Sequence, residues 1–251
     1  MTAETFYGAL QERFSEVLAV EGLSGEKVSV TCRALSPEEA IGRPKRRDFP
    51  ILAGKDVMIQ AQFRDAKGQA FTDAPSDFEG TLDEVVAMDI VHDSHSRSLF
   101  IAVLNAVMGY LGRCCGTVHC RTEGPELCAG DMKAYLLAHY PKDVRIALIG
   151  YQPALLEMLH SSGFSVRVLD LNPANIGQVR CGVTVEDGKK DYDEVVHHFA
   201  ELVLCTGSTV CNGTIVDYLE LEKEVLFFGT TISGTAPLMG LKRVCFAQNY
   251  S

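Results

Sequence analysis

Val144-Arg145-Ile146-Ala147-Leu148-Ile149-Gly150-Tyr151-Gln152-Pro153 reads as a short apolar strand, a glycine turn and a proline that opens a helix. This stretch decides the fold. The helix pattern runs from Pro153 to Ser161, and Val166-Arg167-Val168-Leu169-Asp170 supplies a second strand. Leu202-Val203-Leu204-Cys205, Glu224-Val225-Leu226-Phe227-Phe228 and Arg243-Val244-Cys245-Phe246 continue the series, with helix patterns at 192–198 and 213–221. Strand runs alternating with helix runs mean βαβ units and a parallel sheet. The alternation starts after Pro141-Lys142-Asp143, so residues 142–251 are read as an α/β domain and residues 1–141 as an N-terminal α+β domain with a helical extension.

Upstream, Phe6, Leu10, Phe14, Val17 and Leu18 fall at helical spacing over residues 4–20, and Glu21 to Gly25 ends that helix. Val28 to Cys32 alternates as a strand does. Val57 to Phe63 and Gln69 to Thr72 flank the turn-prone Asp65-Ala66-Lys67-Gly68, the pattern of a β-hairpin. One helix and about three antiparallel strands make a small unit. Helical patterns follow at 82–89 and 96–111, and a third starts near Pro125 and runs to about Tyr140.

The chain has 251 residues, 47% of them hydrophobic, enough for a large core. Its 23 basic and 33 acidic residues leave a formal charge of −10, which repels phosphate backbones and anionic membrane surfaces, so neither nucleic acid nor membrane is expected as a partner. Leu99 to Leu111 is the longest apolar stretch, and it falls short of the ~20 residues of a bilayer span. The first residues lack a basic region followed by an apolar one, so a cytoplasmic address is expected. Nine cysteines, several inside strand-like runs, fit a reducing compartment better than a disulfide framework. A homodimer is compatible with these residues, and a small molecule is the expected partner.

Three constellations carry chemistry. Gly150 ends one strand and Asp170 the next, which is the layout of a nucleotide-binding crevice with an acid placed for a ribose diol. The second and third glycines of a dinucleotide turn are missing, so NAD or FAD bound in the usual way is not expected. The bland alternative is a sheet with an acid at a strand end. Second, Thr206-Gly207-Ser208-Thr209-Val210-Cys211-Asn212-Gly213-Thr214 and Gly229-Thr230-Thr231-Ile232-Ser233-Gly234 follow two strands, and their amides and hydroxyls suit a polar or anionic group. Asn212 or Thr214 could equally cap a helix.

Third, Cys114-Cys115-Gly116-Thr117-Val118-His119-Cys120-Arg121-Thr122-Glu123-Gly124-Pro125-Glu126-Leu127-Cys128 crowds four thiols, an imidazole and acids into one connector. The spacing is not that of a structural zinc site. Adjacent His119 and Cys120 make an awkward nucleophile and base, so His119 is expected to carry protons or accept a ligand, with Glu123 or Glu126 nearby. Thiols that fill a core and a histidine that satisfies a loop carbonyl are the structural alternative. The pairs His92/His95 and His197/His198 are expected on solvated surface. So is Lys45-Arg46-Arg47, unless it closes over an anionic ligand.

Gly68 to Thr72, the helix bearing Asn105, Gly116 to Arg121, Pro125 to Ala129, Thr206-Gly207 and Asn212-Gly213-Thr214 together resemble the prokaryotic family labelled putative heavy-metal chelation, over about residues 5–247. The resemblance implies a domain like the amino-terminal domain of enolase followed by a Rossmann-like, methyltransferase-like domain. It implies a role in heavy-metal chelation through a pterin-, flavin- or siderophore-like chelator. It also implies that His119, Cys120, Arg121, Thr206, Asn212 and Thr214 line an interdomain site. The full expectation assigns His119, Glu123 and Arg121 to chemistry, and Asn105, Gly150, Asp170, Thr206, Gly207, Asn212, Thr214, Gly229 and Thr230 to a ligand. His119, Cys120 and Cys128 are assigned to a soft divalent metal. A nucleotide-like ligand, direct thiolate metal binding and S-adenosylmethionine binding are the competing readings.

Overall fold

The computed structural model describes residues 1–24, 30–53 and 57–251. Val28 and Ser29, the start of one expected strand, lie outside the described residues. Helix α1 (Ala3–Val20) is capped by Thr2, whose side chain accepts from the Thr5 amide, and it buries Phe6, Tyr7, Leu10, Phe14, Val17 and Leu18 along one face. Strand β1 (Val30–Leu35) leads to a single-turn α2 (Pro37–Ile41), held by a capping box between Ser36 and Glu39. Strands β2 (Val57–Phe63), β3 (Ala66–Thr72) and β4 (Phe78–Gly80) complete an antiparallel sheet in the order β3-β2-β1-β4.

The hairpin differs from its sequence expectation. Phe63 pairs with Ala66, so the loop is the two-residue Arg64-Asp65, with Arg64 at φ 53°, and not Asp65 to Gly68. Gly68 lies inside β3. A Cβ there would stand 2.2 Å from the Ala106 nitrogen and 2.3 Å from the Ala102 oxygen, so this glycine exists for close packing against a helix rather than for turning.

Helix α3 (Leu82–Val86) stops three residues short of the expected span, and α4 (Ser94–Tyr110) follows, capped by Asp93. Every residue of α4 from Arg97 to Met108 is buried. A helix apolar on all sides needs partners on all sides. It packs on β3 and β2 with one face and on the far half of the molecule with another. The connector 111–123 then leads into α5 (Gly124–His139).

The second half holds β5 (Arg145–Ile149), α6 (Pro153–Ser161), β6 (Ser165–Asp170), the edge hairpin β7 (Val179–Arg180) and β8 (Val183–Asp187), and β9 (Leu202–Thr206). Next come α7 (Thr209–Asn212), β10 (Glu224–Phe228) and α8 (Thr235–Met239). The sheet order is β10-β9-β5-β6-β8-β7, parallel except for β7. The fold is therefore α/β, with a small antiparallel sheet and a larger, mostly parallel one. Chain order reverses between β5 and β9, the switch point at which open α/β sheets bind ligands.

Local detail differs from the expectations at four places. Residues 192–198 form a π-helical segment, Asp193–Phe199, and 213–221 contains only a 3₁₀ turn, Thr214–Tyr218. The β7/β8 hairpin was not anticipated. Arg243–Phe246 is not a full strand: Arg243 bridges to Phe227 and the chain then peels away. The Arg243 guanidinium is fastened to the carbonyls of Gly229, Cys115 and Gly116 at 3.0–3.1 Å, which holds that departure open. One apolar core runs from α1 through α4 to the inner face of β5, β9 and β10, and a second lies beneath α5 and α6 on the other face.

Candidate functional site

A cavity of about 850 Å³ opens where the small sheet meets the C-terminal edges of the parallel strands, within the size range of small-molecule sites. The parallel sheet contributes Gly150, Asp170, Thr206, Gly207, Gly229 and Thr230, with Asn212 and Thr214 beyond β9. His119, Cys120 and Cys128 form another wall, and Ile41, Phe49, Ile51, Met58 and Phe71 make an apolar side.

The connector reaches this rim because β3 and the last loops hold it. Gln69 is the pivot: its N–H donates to the Thr117 carbonyl at 2.9 Å, and its side-chain oxygen accepts from the His119 N–H at 2.8 Å. From the opposite side, Ser233 Oγ lies 2.8 Å from the Gly116 carbonyl oxygen and 2.7 Å from that of Thr230, its one proton serving either. His119 is left half-buried on the wall, with Nδ1 2.6 Å from the Cys120 carbonyl oxygen. A carbonyl only accepts, so Nδ1 carries the proton and Nε2 keeps its lone pair. Burial holds the His119 pKa below the usual histidine value, so the ring is neutral at pH 7. Because the unfolded chain takes up this proton first, folding stability should fall as pH drops from the ordinary histidine value toward the lowered one. Thermal unfolding between pH 7 and 5 checks this, and His119→Gln should flatten that part of the profile.

Three expected site residues face elsewhere. Arg121 is exposed and donates to the Glu38 carbonyl at 3.1 Å. Glu123 is exposed and ion-paired to Lys45 at 2.5 Å, so Glu123 belongs to the outer surface and not to the cavity wall. A left-handed Thr122 between them, φ 58°, with its N–H on the Ile41 carbonyl, turns the chain outward. Asn105 is wholly buried in α4. Its Nδ2 donates to the carbonyls of Gln69, Thr230 and Thr231, and its Oδ1 accepts from the Gly234 N–H at 2.7 Å. That residue is a rivet between the two halves, not a ligand contact.

Asp170 lies in the lining, yet its carboxylate is already engaged. Oδ2 accepts from the Tyr151 N–H at 2.8 Å and from Asn175 Nδ2 at 3.3 Å, and Oδ1 accepts from the Asn172 N–H at 2.6 Å. At the start of α6, Gln152 Oε1 takes the Leu155 N–H at 2.6 Å, and Pro153 has no N–H. Two of the amides at this turn, those of Tyr151 and Leu155, are thus occupied, and three of the roughly four acceptor positions of the Asp170 carboxylate are taken. Asn212 has the dual character expected of it, since its Oδ1 accepts from the Thr214 N–H and hydroxyl at 3.0 and 2.8 Å while its amide nitrogen has no hydrogen-bond partner among the described residues.

Charge in the lining points the same way. Asp73, Asp170 and Asp217 face Lys189 there, and burial raises the Asp217 pKa. Lys45-Arg46-Arg47 does not close over the cavity as an anion clamp. Arg46 is saturated by Asp48 and Glu157, both at 2.6 Å, and Asp48 in turn accepts from the Tyr151 hydroxyl, latching that loop to the start of α6. His92 and His95 hydrogen-bond to Asp89 and to the Pro75 carbonyl, and His198 pairs with Asp193, all on exposed surface.

Among the described residues, no group of three or more His, Cys, Asp or Glu side chains is arranged to hold a metal ion. His119, Cys120 and Cys128 therefore do not form the expected centre, because the one ring nitrogen near Cys120 Sγ, at 3.8 Å, is turned to a carbonyl. All eight cysteines whose side chains are described are free thiols. Tyr151, Lys189, Tyr192, Asp217 and Cys245 line the cavity without having been anticipated. No single motif marks them. No described helix is long and apolar enough to cross a membrane.

Comparison with known proteins finds a family profile that matches part of the chain. Residues 134–241 match the profile of DUF364, described as putative heavy-metal chelation. A protein of unknown function of that family from Pyrococcus horikoshii is similar in structure, at 16% identity, covering 88% of this chain and 79% of its own, with a TM-score of 0.44. Another, from Desulfitobacterium hafniense, has 11% identity, covers 73% and 72%, and has a TM-score of 0.48. No curated protein matches the chain.

Proposed function

Taking the chain as a member of the family whose domain it carries at residues 134–241, we propose that it binds a small, polar-edged heterocyclic molecule in the cavity and serves heavy-metal chelation by making or processing a chelator of that kind. One observation carries this reading: a cavity of about 850 Å³ at the strand-order switch, with hydroxyl- and amide-bearing loops on one side and an apolar wall on the other. The ligand is neutral or cationic. Three carboxylates against one ammonium group disfavour phosphates, and the occupied Tyr151 and Leu155 amides remove the usual anion cradle. The same occupancy weighs against S-adenosylmethionine, whose ribose would compete for Asp170. His119, neutral with its Nε2 lone pair without a partner among the described residues, accepts a hydrogen bond or a proton from the ligand edge.

Native mass spectrometry of protein purified from its own host tests this reading. A bound small molecule, uncharged or positive at pH 7, is expected. Asn212→Ala and Thr206→Val should each weaken its binding roughly tenfold, about one hydrogen bond apiece. Recovery of a phosphorylated ligand, or unchanged affinity in both variants and in His119→Ala, would reject the proposal.

A further inference from the structure

Beyond β9 and α7 the chain makes the 3₁₀ turn Thr214–Tyr218 along the cavity, and Tyr192, at the start of the π-helical segment, meets it there. Residues three apart eclipse in a 3₁₀ helix, so Thr214 and Asp217 share one side of the turn, and both line the cavity. The Thr214 hydroxyl is held by Asn212 Oδ1, which places this polar edge one turn, about 6 Å, from Asp217. Tyr192 fastens the turn from another segment. Its hydroxyl donates to the Asp217 carbonyl at 2.5 Å, and its ring meets that of Tyr218 edge to face with centroids 5.7 Å apart. Burial, helped by the nearby Asp217 carboxylate, pushes the Tyr192 pKa up to about 12, so the hydroxyl stays a donor at pH 7. The Asp217 carboxylate beside this aromatic corner is unengaged. Asp48, Glu123 and Asp170 all have partners, but among the described residues Asp217 has neither a side-chain hydrogen bond nor an ion pair, and Lys189 of the lining does not pair with it. A carboxylate partly withdrawn from water without a counter-charge is costly, and a cation beside it removes that cost.

We propose that Asp217, Thr214 and the Tyr192–Tyr218 corner form a subsite for a protonated amine carried by the cavity's ligand. The inference rests on the cavity reading above and narrows it, from a neutral or cationic molecule to one with a basic nitrogen on the order of 6 Å beyond the polar edge that Asn212 and Thr214 meet. The ammonium donates a charge-assisted hydrogen bond to the carboxylate, and aromatic faces within about 6 Å attract its positive charge. A neutral hydroxyl in the same place gains neither effect. A phosphate there is repelled by the same carboxylate.

The test uses the full-length chain and two probes of matched shape, benzylamine, which is a cation at pH 7, and benzyl alcohol, which is neutral. Ligand-detected NMR titration measures both. Wild type should bind benzylamine about tenfold or more tightly than the alcohol, and added salt should shrink that margin. Asp217→Asn changes an exposed residue and should leave the fold intact. It should erase the margin while binding of benzyl alcohol stays as it was. Equal affinity of wild type for the two probes, no detectable binding of benzylamine, or a margin that survives Asp217→Asn would overturn the subsite. The molecule recovered from the native host gives a second readout that needs no variant. A recovered ligand with a basic nitrogen supports the subsite; one without it overturns the subsite and leaves the cavity reading standing, whereas a phosphorylated one rejects both.

Discussion

Asn105→Leu should unfold the protein or bring it close to unfolding. The side chain is nearly the same size, but the carbonyls of Gln69, Thr230 and Thr231 and the N–H of Gly234 each lose a hydrogen bond in a wholly buried place, with the Thr230 carbonyl still accepting from the Ser233 N–H. Each abandoned buried group costs about 1–3 kcal/mol, so a loss of roughly 4 kcal/mol or more is expected against a typical total of about 5–15. Urea unfolding of both proteins measures it, and a loss below about 1 kcal/mol would show that the rivet is dispensable. Asn105→Asp adds a sign test. Its carboxylate keeps the Gly234 contact but turns lone pairs toward three carbonyls, so its folded pKa is raised. Stability should be poor at pH 7 and partly recover as pH falls, because the protonated acid can donate again.

Gly68→Ala is expected to be nearly as damaging from a single methyl group. The new carbon would meet the backbone of α4 at 2.2 and 2.3 Å, and neither a helix nor a paired hairpin strand can yield by a side-chain rotation. Overpacking that side chains can absorb costs about 1–3 kcal/mol, so backbone against backbone should exceed ~3 kcal/mol. The denaturation midpoint should drop with an unchanged slope. The damage should also reach the site, because neighbouring Gln69 positions the His119 N–H and Thr117. Gly8→Ala is the matched control: it is exposed in α1 with nothing within 4 Å, and should be neutral or stabilising by about 0.5–1 kcal/mol. Equal effects at the two positions would refute the packing argument.

Particular elements show how far reading the residues can go. Strands β5, β6, β9 and β10 were legible because a parallel strand buried on both faces reads as a continuous apolar run bounded by glycine or proline. β8 was not, since Val183-Thr184-Val185-Glu186-Asp187 mixes polar residues as an edge-side strand does, and β7 has only two residues. Cys245 was read as a core residue because its neighbours are apolar. Apolar spacing does not say whether a strand finds a partner, and this one leaves its partner after Arg243. The hairpin was recognised while its turn was misplaced, because Gly68 looks like a turn residue until the helix above it is seen.

The amino-acid sequence by itself determined the α/β class, the βαβ alternation and the placement of glycine- and hydroxyl-rich loops at strand ends, because period and punctuation are local properties of the chain. The tertiary structure alone decided that Asn105 ties two halves together, that Arg121 and Glu123 turn outward, and that the Asp170 carboxylate accepts the Tyr151 N–H. Each of these depends on groups 20 to 130 or so residues apart becoming neighbours. Hydrogen-bond partners and charge environment are fixed by that long-range packing, and no spacing along the chain encodes them.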